Sequence, residues 1–243
     1  MLPNSPKTDL IASICADTPH WASHTLKAWD ENDFRAKQPF VNEKYWSSQH
    51  SINVFEVVGT AHPDYQGMCW LEFLEKGKRM RQNLQLQQSN PIYYLDEAVK
   101  LPTMYYIEID NSGWHINGDG NHRTCIARFM FQGLSKTMLH GVNVESYRTD
   151  QQAFNAFNRL RIAAAIKNLP WIIESKRKTI SREDTAGWMR ERYAVSICIN
   201  DLKNGILEEL SVVEAIERAD KIERTTKSLL ASITSLLSRK KGS

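Results

Sequence analysis

The chain has 243 residues, of which 42% are hydrophobic and 24% are charged, and its formal net charge is +3. This composition is typical of a globular protein with one large or two small domains. So small a net charge does not by itself indicate a nucleic-acid-binding protein, because tight phosphate binding needs clustered Lys and Arg side chains.

Signals for export, membrane insertion and metal binding are missing from the sequence. The opening MLPNSPK lacks the basic and then apolar order of a secretory signal. No apolar run reaches the roughly 18 residues that a spanning helix needs. We therefore expect a cytoplasmic protein without a membrane span. The cysteines are too far apart to indicate a zinc site or a disulfide framework; they are Cys15, Cys69, Cys125 and Cys198.

Composition changes along the chain and predicts three parts. Prolines at positions 3, 6, 19 and 39 interrupt residues 1–50, for which we expect an irregular N-terminal extension. An α+β core over residues 51–150 and a helical C-terminal region over residues 151–243 follow. Within the core, β-branched and aromatic residues predict a strand over 52–58, and helical periodicity predicts a helix over 68–86.

A hairpin followed by a helix forms the centre of the core. Residues 104–109 and 114–117 are rich in strand-forming residues, and the Asn-Ser-Gly between them is typical of a turn. The sequence GDGNHRTCIA comes directly after this hairpin, and apolar residues at helical spacing lead from it to Leu134. A strand is predicted over residues 138–146.

The turn between hairpin and helix carries the residue types of an anion site. Gly118 and Gly120 can adopt positive φ and let backbone N–H groups approach a ligand. A helix N-terminus carries about half a positive charge. Arg123 in the first helical turn is locally unfavourable for that reason, and a bound phosphate would reverse the sign of the interaction.

Each polar side chain of the turn has a candidate role. The planar guanidinium of Arg123 suits two phosphate oxygens, and His122 can donate a hydrogen bond or move a proton. Asp119 can orient Arg123, ligate a divalent cation such as Mg²⁺, or act as a base. Asn121 and Thr124 add neutral contacts. The alternative needs no ligand: Asp119 pairs with Arg123, and Asn121 caps the helix.

The order of elements and the sequence GDGNHRTCIARF resemble the core of the ParB/sulfiredoxin superfamily over residues 89–147. The resemblance implies a small mixed sheet with helices and places phosphate binding on Gly120 to Arg123, with Thr124 at the helix start. Members include plasmid partition proteins that bind and hydrolyse CTP, DNA-degrading relatives, and sulfiredoxin, which uses ATP. ATP or CTP is therefore the expected nucleotide.

Departures from the family pattern reduce the number of family functions that we expect for this chain. Sulfiredoxin has a nucleophilic cysteine where this chain has Asn121, and Cys125 fits a buried thiol better than a substitute for it. Partition proteins carry a helix-turn-helix after the core, which residues 151–195 do not indicate. In size the chain is similar to plasmid fertility-inhibition proteins of the Osa type, which couple ATP hydrolysis and DNA cleavage to a block of DNA transfer through a type IV secretion channel.

Two functions remain from this resemblance. The first is a nucleotide-binding phosphohydrolase or DNA nuclease of mobile-element origin, with Asp119, His122 and Arg123 as catalytic residues and DNA as a partner. A protein of the conjugation apparatus would be its further target. The second is a non-catalytic regulator or partition protein that binds nucleotide or DNA.

Three features outside the turn carry weaker expectations. Glu108 and Asp110 would share one face of a strand, either as solvent-facing residues or as part of a metal site. Basic residues outnumber acidic ones between residues 159 and 192, which fits either a DNA-contacting surface or a solvated face; the candidates for DNA contact are Lys176, Arg177, Lys178 and Arg182.

The last of these features is an apolar stripe over residues 206–237, which predicts one long helix. The helix would cover the domain core or pair with a second copy of the chain. The basic residues 239–241 would follow it as a tail.

Overall fold

The structure is a computed structural model that describes residues 10–225. The chain forms two compact units. Within the described residues, the first comprises residues 10–34 together with Lys44–Arg148 and Arg182–Arg190; the second comprises Arg35–Glu43, Thr149–Ser181 and residues 191–225.

Helices and strands alternate irregularly along the chain. The helices are α1 (Leu10–Ala16), α2 (Glu31–Lys37), α3 (Trp70–Lys76), α4 (Met80–Ser89), α5 (Ile92–Leu95), α6 (Asn121–Leu134) and α7 (Gln151–Ile166), with a last helix, α8, over residues 212–225. The strands are β1 (Lys27–Ala28), β2 (Val41–Asn53), β3 (Val57–Thr60), β4 (Tyr105–Ile109), β5 (Trp114–Ile116), β6 (Met138–Thr149), β7 (Trp171–Thr185), β8 (Trp188–Asp201) and β9 (Ile206–Leu210). Within residues 10–225, no helix combines the length and apolar content that crossing a membrane requires.

The strands of the first unit form a mixed sheet in the order β1-β3-β5-β4-β6-β2. β4 and β5 are the predicted hairpin, antiparallel with Tyr106 opposite Ile116. β3 runs parallel to β5, with Thr60 opposite Ile116, and β4 runs parallel to β6. The expected α+β class with a mixed sheet is therefore confirmed.

Helix α6 is anchored in the core of the first unit. Ile126 and Phe129 are buried, and the buried Arg128 lies between two tryptophans, with its guanidinium carbon 4.6 Å from the ring centroids of both Trp21 and Trp70. Arg128 Nη1 also donates to the carbonyl oxygen of Val57 at 2.8 Å. Burial lowers the pKa of Arg128 to about 10. These contacts fix the helix whose N-terminus carries the predicted site.

Several elements of the first unit differ from expectation. Residues 10–50 are not irregular, because α1, α2, β1 and most of β2 lie there, while residues 1–9 lie outside the described part of the chain. The strand predicted over 52–58 is interrupted by a 3₁₀ turn at Val54–Glu56, where the Asn53 side chain accepts a hydrogen bond from Phe55 N. The helix predicted over 68–86 is two helices, because Gly77 leaves the helical conformation and Arg79 adopts φ +77°.

The second unit contains strands where helices were expected. Helix α7 begins with Asp150 as N-cap, whose carboxylate accepts from Ala153 N at 2.9 Å. After it, β8 hydrogen-bonds with β7 and pairs antiparallel with β9. The expectation of a helical C-terminal region is thus wrong over residues 171–210. The physical reason is the burial of alternate residues, since Ile197 and Ile199 enter the same core from β8.

The predicted long C-terminal helix begins later than expected. Residues Ile206–Leu210 form β9, and α8 starts after Ser211, which forms a reciprocal capping box with Glu214 in the first turn of the helix. Ala219 is buried in the core of the second unit and Ile222 packs against that core, so the described part of the stripe covers the core. The rest of the stripe and the basic tail lie outside the described residues, and pairing of this helix with a second copy stays a prediction.

Candidate functional site

A cavity of about 470 Å³ opens at the start of α6, in the first unit. Every residue from Gly118 to Arg123 contributes to its wall, so the predicted turn and the cavity coincide. The remaining wall comes from three other segments, which are residues 62–65, residues 78–86 and Pro102. The lining residues of these segments that carry charge or hydrogen-bonding groups include His62, Asp64, Tyr65, Lys78, Arg79 and Asn83.

The backbone of the turn needs both glycines. Gly118 has φ +87° and Gly120 has φ +114°, conformations that other residues rarely adopt. A Cβ on Gly120 would also lie 3.2 Å from the Cβ of Met104. The glycines therefore set the path by which the chain enters α6.

The first amides of α6 have no helical partner. Gly120 is the N-cap, and no side chain of residues 10–225 caps the helix. The first intrahelical hydrogen bond joins Thr124 N to Gly120 O at 2.7 Å. The N–H groups of Asn121, His122 and Arg123 precede that bond and carry the positive end of the helix dipole. They lie at the cavity and can donate to an anion.

Arg123 is positioned by neutral groups. Its Nη1 donates to the Tyr93 hydroxyl at 2.6 Å and to the carbonyl oxygen of Pro102, and its Nη2 donates to the carbonyl oxygen of Thr103 at 2.9 Å. No carboxylate in the described part of the chain pairs with it. The guanidinium is thus held in one place while its positive charge stays uncompensated.

His122 is a half-buried, neutral imidazole. Its ring lies 5.4 Å from the rings of both Tyr65 and Phe73, and its Nε2 is 3.4 Å from the Tyr65 hydroxyl. Burial lowers the pKa of His122, the Lys78 carbonyl opposes that shift, and nearby cationic groups add to it. A neutral ring can accept a proton at one nitrogen and donate a hydrogen bond from the other.

Asp119 is exposed at the cavity and lacks the partner that the ligand-free alternative assigned to it. Between residues 10 and 225 its carboxylate makes no hydrogen bond and no ion pair, so the expected pairing with Arg123 does not form. Lys78 and Arg79, both exposed, line the same cavity. Three cationic side chains and two carboxylates, those of Asp64 and Asp119, therefore surround the helix start.

Two residues of the predicted phosphate-binding set support the turn from inside. Asn121 is buried, accepts from Thr60 Oγ1 at 2.6 Å and donates to Gly118 O at 2.9 Å. It therefore does not cap the helix, and only its backbone amide is available. Thr124 is also buried, where its hydroxyl bonds to Gly120 O and to the Tyr106 hydroxyl, and it is not part of the cavity wall.

The segment after β3 was not identified from sequence. His62 stacks on Tyr65 with ring centroids 4.5 Å apart, and both line the cavity. The parallel pairing of β3 with β5 explains their position, because neighbouring parallel strands end at the same sheet edge. The only signal in the sequence is the polar segment His-Pro-Asp-Tyr after a strand. No local pattern relates that segment to the turn after β5.

The second acidic pair does not form a site. Glu108 is buried and accepts from Ser146 Oγ at 2.7 Å and from Arg148 Nη2 at 2.8 Å. Asp110 lies beyond the end of β4 with φ +53°, so the two residues do not share a strand face. The expectation that Glu108 faces solvent is wrong, because its charge is compensated inside the sheet by Arg148. No group of three or more metal-ligating side chains is found within residues 10–225.

Cys125 is fully buried, as expected, with its thiol directed to the Trp70 carbonyl at 3.6 Å. Burial raises the pKa of this thiol well above its usual value. A group that stays protonated is a poor nucleophile. Cys125 therefore does not replace the cysteine that sulfiredoxin uses.

The basic residues on β7 are exposed but partly neutralised. Lys176 pairs with Glu209 at 2.5 Å, and Arg182 pairs with Asp184 at 2.7 Å. Arg177 stacks over the Tyr193 ring at 4.4 Å. Lys178 is exposed beside them. Contact of these four residues with DNA stays a prediction.

Comparison of the chain with protein-family models, with curated proteins and with solved structures finds no match. The site is therefore characterised by its own geometry.

Proposed function

We propose that the cavity at the start of α6 binds the phosphate groups of a nucleotide, and that the chain is a phosphohydrolase or DNA nuclease of the ParB/sulfiredoxin type. One observation carries the proposal. Among residues 10–225, the amides of Asn121 to Arg123 have no intrahelical acceptor and Arg123 has no carboxylate partner, and these groups meet in a single cavity. Such a combination favours a bound anion over an internal ion pair.

The charges around the cavity support a ligand with several negative charges. Arg123 is fixed at the floor by carbonyl groups, while Lys78 and Arg79 are exposed at the rim. A fixed guanidinium loses little conformational entropy when it binds, because its position is already set. The two rim cations can then reach the outer phosphates.

Two further residues supply chemistry for hydrolysis. In the proposed step, the oxygen of a water molecule bonds to phosphorus, the bond from phosphorus to the leaving oxygen breaks, and the water proton passes to the Asp119 carboxylate. Arg123 and the helix amides stabilise the charge that develops on the phosphoryl oxygens. The ring N–H of the neutral His122 is directed to the Lys78 carbonyl, so its other nitrogen is the one that can accept the proton and carry it away.

A divalent cation fits this set of residues. Magnesium is usually held by one or two carboxylates together with the phosphates of the substrate. Asp119 is exposed and has no partner within residues 10–225, and Asp64 lines the same cavity. These two side chains would hold the cation, which would supply further neutralisation of the phosphates.

DNA is the proposed macromolecular substrate of this protein. A protein of a conjugation apparatus is its proposed further target. The exposed cations on β7 support contact with a phosphate backbone, although their ion pairs reduce the net charge. Binding of DNA should then weaken steeply with salt, because released counterions drive it. A triple variant in which Lys176, Arg177 and Lys178 are each changed to alanine should show a smaller slope of DNA affinity against salt concentration.

Phosphate release and plasmid nicking, each with and without magnesium, test the proposal. Lys78→Ala should reduce nucleotide binding and turnover, and Asp119→Asn should reduce turnover with less effect on binding. Lys76→Ala is the matched control, because Lys76 is also exposed, lies two residues away and does not line the cavity. Binding without turnover in the unmodified protein would favour the non-catalytic regulator, and equal behaviour of Lys78→Ala and Lys76→Ala would contradict the site.

A further inference from the structure

We infer that a second cavity of the first unit, built from other residues than the cavity at the start of α6, holds an unpaired base of single-stranded DNA. This aromatic cavity lies between β2 and the turn that joins β7 to β8, and its volume is about 430 Å³. Its aromatic and hydrogen-bonding wall residues are Tyr45, Ser47, Gln49, His50, Ser51 and Trp188. The choice of DNA among ligands with a flat ring rests on the proposed function.

Aromatic rings form much of the wall of the aromatic cavity. The ring centroids of Tyr45 and Trp188 lie 6.3 Å apart, with the ring planes inclined by 33°. The His50 ring lies 5.8 Å from the Tyr45 ring. All three side chains are half-buried, so the protein holds the rings in place while part of each faces the cavity. Aromatic rings presented in this way on strands stack with the flat faces of bases.

Two side chains of the aromatic cavity can hydrogen-bond to the edge of a base. The side-chain amide of Gln49 is exposed and has no hydrogen-bond partner among residues 10–225. The His50 ring likewise has no hydrogen-bond partner in the described part of the chain. Burial lowers the pKa of His50 although Glu108 opposes that shift, so the ring is neutral and offers one donor and one acceptor. Amide side chains recognise base edges through a donor and an acceptor together.

Arg190 adds a positive charge beside the rings. Its guanidinium carbon lies 5.6 Å from the centroid of the Tyr45 ring. Within the described residues, no carboxylate pairs with Arg190, and its buried Nε has no hydrogen-bond partner. An arginine that stacks on a ring and is not neutralised by an acid suits a phosphate of the strand whose base enters the cavity.

A site of this kind distinguishes single strands from duplexes. In a duplex, each base is stacked on its neighbours and its edge is paired, so its face can contact a protein ring only after it leaves the stack. The rings and the Gln49 amide address the face and the edge of a base, which the phosphate backbone does not offer. The aromatic cavity would therefore add base-dependent binding of single strands to the proposed contacts with DNA.

Binding of fluorescently labelled strands to the full chain, followed by anisotropy, tests the site. The ligand is an oligothymidylate of about 12 nucleotides, and an abasic strand of the same length carries the same phosphates without bases. We expect the oligothymidylate to bind about tenfold more tightly than the abasic strand. Trp188→Ala should remove about that factor, because a base–ring stack is lost, and should leave the affinities for the abasic strand and for a duplex unchanged.

Gln49→Ala should weaken binding of the oligothymidylate roughly threefold, through loss of hydrogen bonds to the base. Gln49 is exposed, so this variant decides the question alone if Trp188→Ala fails to fold. Tyr105→Ala and Gln85→Ala are the matched controls. Tyr105 is 41% exposed, Gln85 is exposed, and neither lines the aromatic cavity, so neither change should alter the affinity.

Equal affinity for the oligothymidylate and the abasic strand, or equal behaviour of Gln49→Ala and Gln85→Ala, would overturn the aromatic cavity as a site for DNA. Displacement of the oligothymidylate by ATP that Gln49→Ala weakens would identify a free nucleotide as the ligand and would also overturn it. Base-dependent binding of the strand without phosphate release, and without any effect of Lys78→Ala on nucleotide binding, would support the aromatic cavity and overturn the proposed function.

Discussion

Arg123 donates a 2.6 Å hydrogen bond to the hydroxyl of Tyr93, and its guanidinium carbon lies 6.0 Å from the centroid of the same ring. Burial raises the pKa of Tyr93 although Arg123 opposes that shift, so the phenol remains neutral. The contact links the start of α6 to α5. It positions the arginine without removing its positive charge.

The variant Tyr93→Phe should separate the effect of positioning Arg123 from the effect of its positive charge. The variant loses one hydrogen bond to a cation, and we expect the free energy of unfolding to fall by about 1–2 kcal/mol. Nucleotide affinity should change by no more than about threefold, because two carbonyl groups still hold Arg123. Urea unfolding and ligand titration measure the two effects. A loss of nucleotide affinity much larger than about threefold would contradict this account.

The two glycines of the turn should differ in their tolerance of alanine. Gly120→Ala combines positive φ with a 3.2 Å contact to Met104, whereas Gly118→Ala meets no neighbouring atom within 4 Å. We expect Gly118→Ala to destabilise the fold by about 1 kcal/mol through backbone strain, and Gly120→Ala by more.

Gly133→Ala is the control for both, since Gly133 lies in α6 with open space around it. It should raise the free energy of unfolding by about 0.4–1 kcal/mol. Thermal or urea unfolding measures the order of stability of the three variants. Equal destabilisation at positions 118 and 120 would show that the contact with Met104 is unimportant.

Arg79→Gly should stabilise the protein while it weakens ligand binding. Arg79 adopts φ +77°, a conformation that costs a non-glycine residue about 1 kcal/mol and that glycine adopts freely. Removal of its side chain also takes one cation from the cavity rim. For this one variant, the free energy of unfolding should therefore rise, whereas the affinity for nucleotide should fall. Unchanged affinity would exclude Arg79 from the site.

His122 should contribute to a loss of stability in acid. Its folded pKa lies below its usual value of 6.5, so the unfolded chain binds more protons below that pH. The free energy of unfolding then falls as the pH drops from about 6.5 through the folded pKa. His122→Asn should show a smaller fall between about pH 7 and pH 5. His50 and His115, whose pKa values are also lowered by burial, should account for the remainder.

The local features of the core could be predicted from the sequence. The hairpin β4-β5 and helix α6 form where turn residues and helical periodicity indicated them, and residues Gly118 to Arg123 of the turn between them line one cavity. These features depend on neighbouring residues. Glycine positions and residue spacing are sufficient to define them.

Features that depend on distant pairing were not predicted. His62 and Tyr65 reach the cavity because β3 pairs with β5, a relationship that no local pattern contains. The strands of the second unit were missed for a similar reason: burial on one face stabilises β8 and β9, whereas the composition of these segments also suits helices. The direction of the Asn121 side chain likewise depends on Thr60 across the sheet.

The backbone amides of Asn121, His122 and Arg123 provide the most direct test of the central claim. Titration of the ¹⁵N-labelled full chain with ATP, followed by amide chemical shifts, should move these three signals in a saturable manner. Lys78→Ala should weaken the response, and Lys76→Ala should not. Saturable binding that leaves the three amides unmoved, or the absence of binding at millimolar ATP, would contradict a phosphate site at the start of α6.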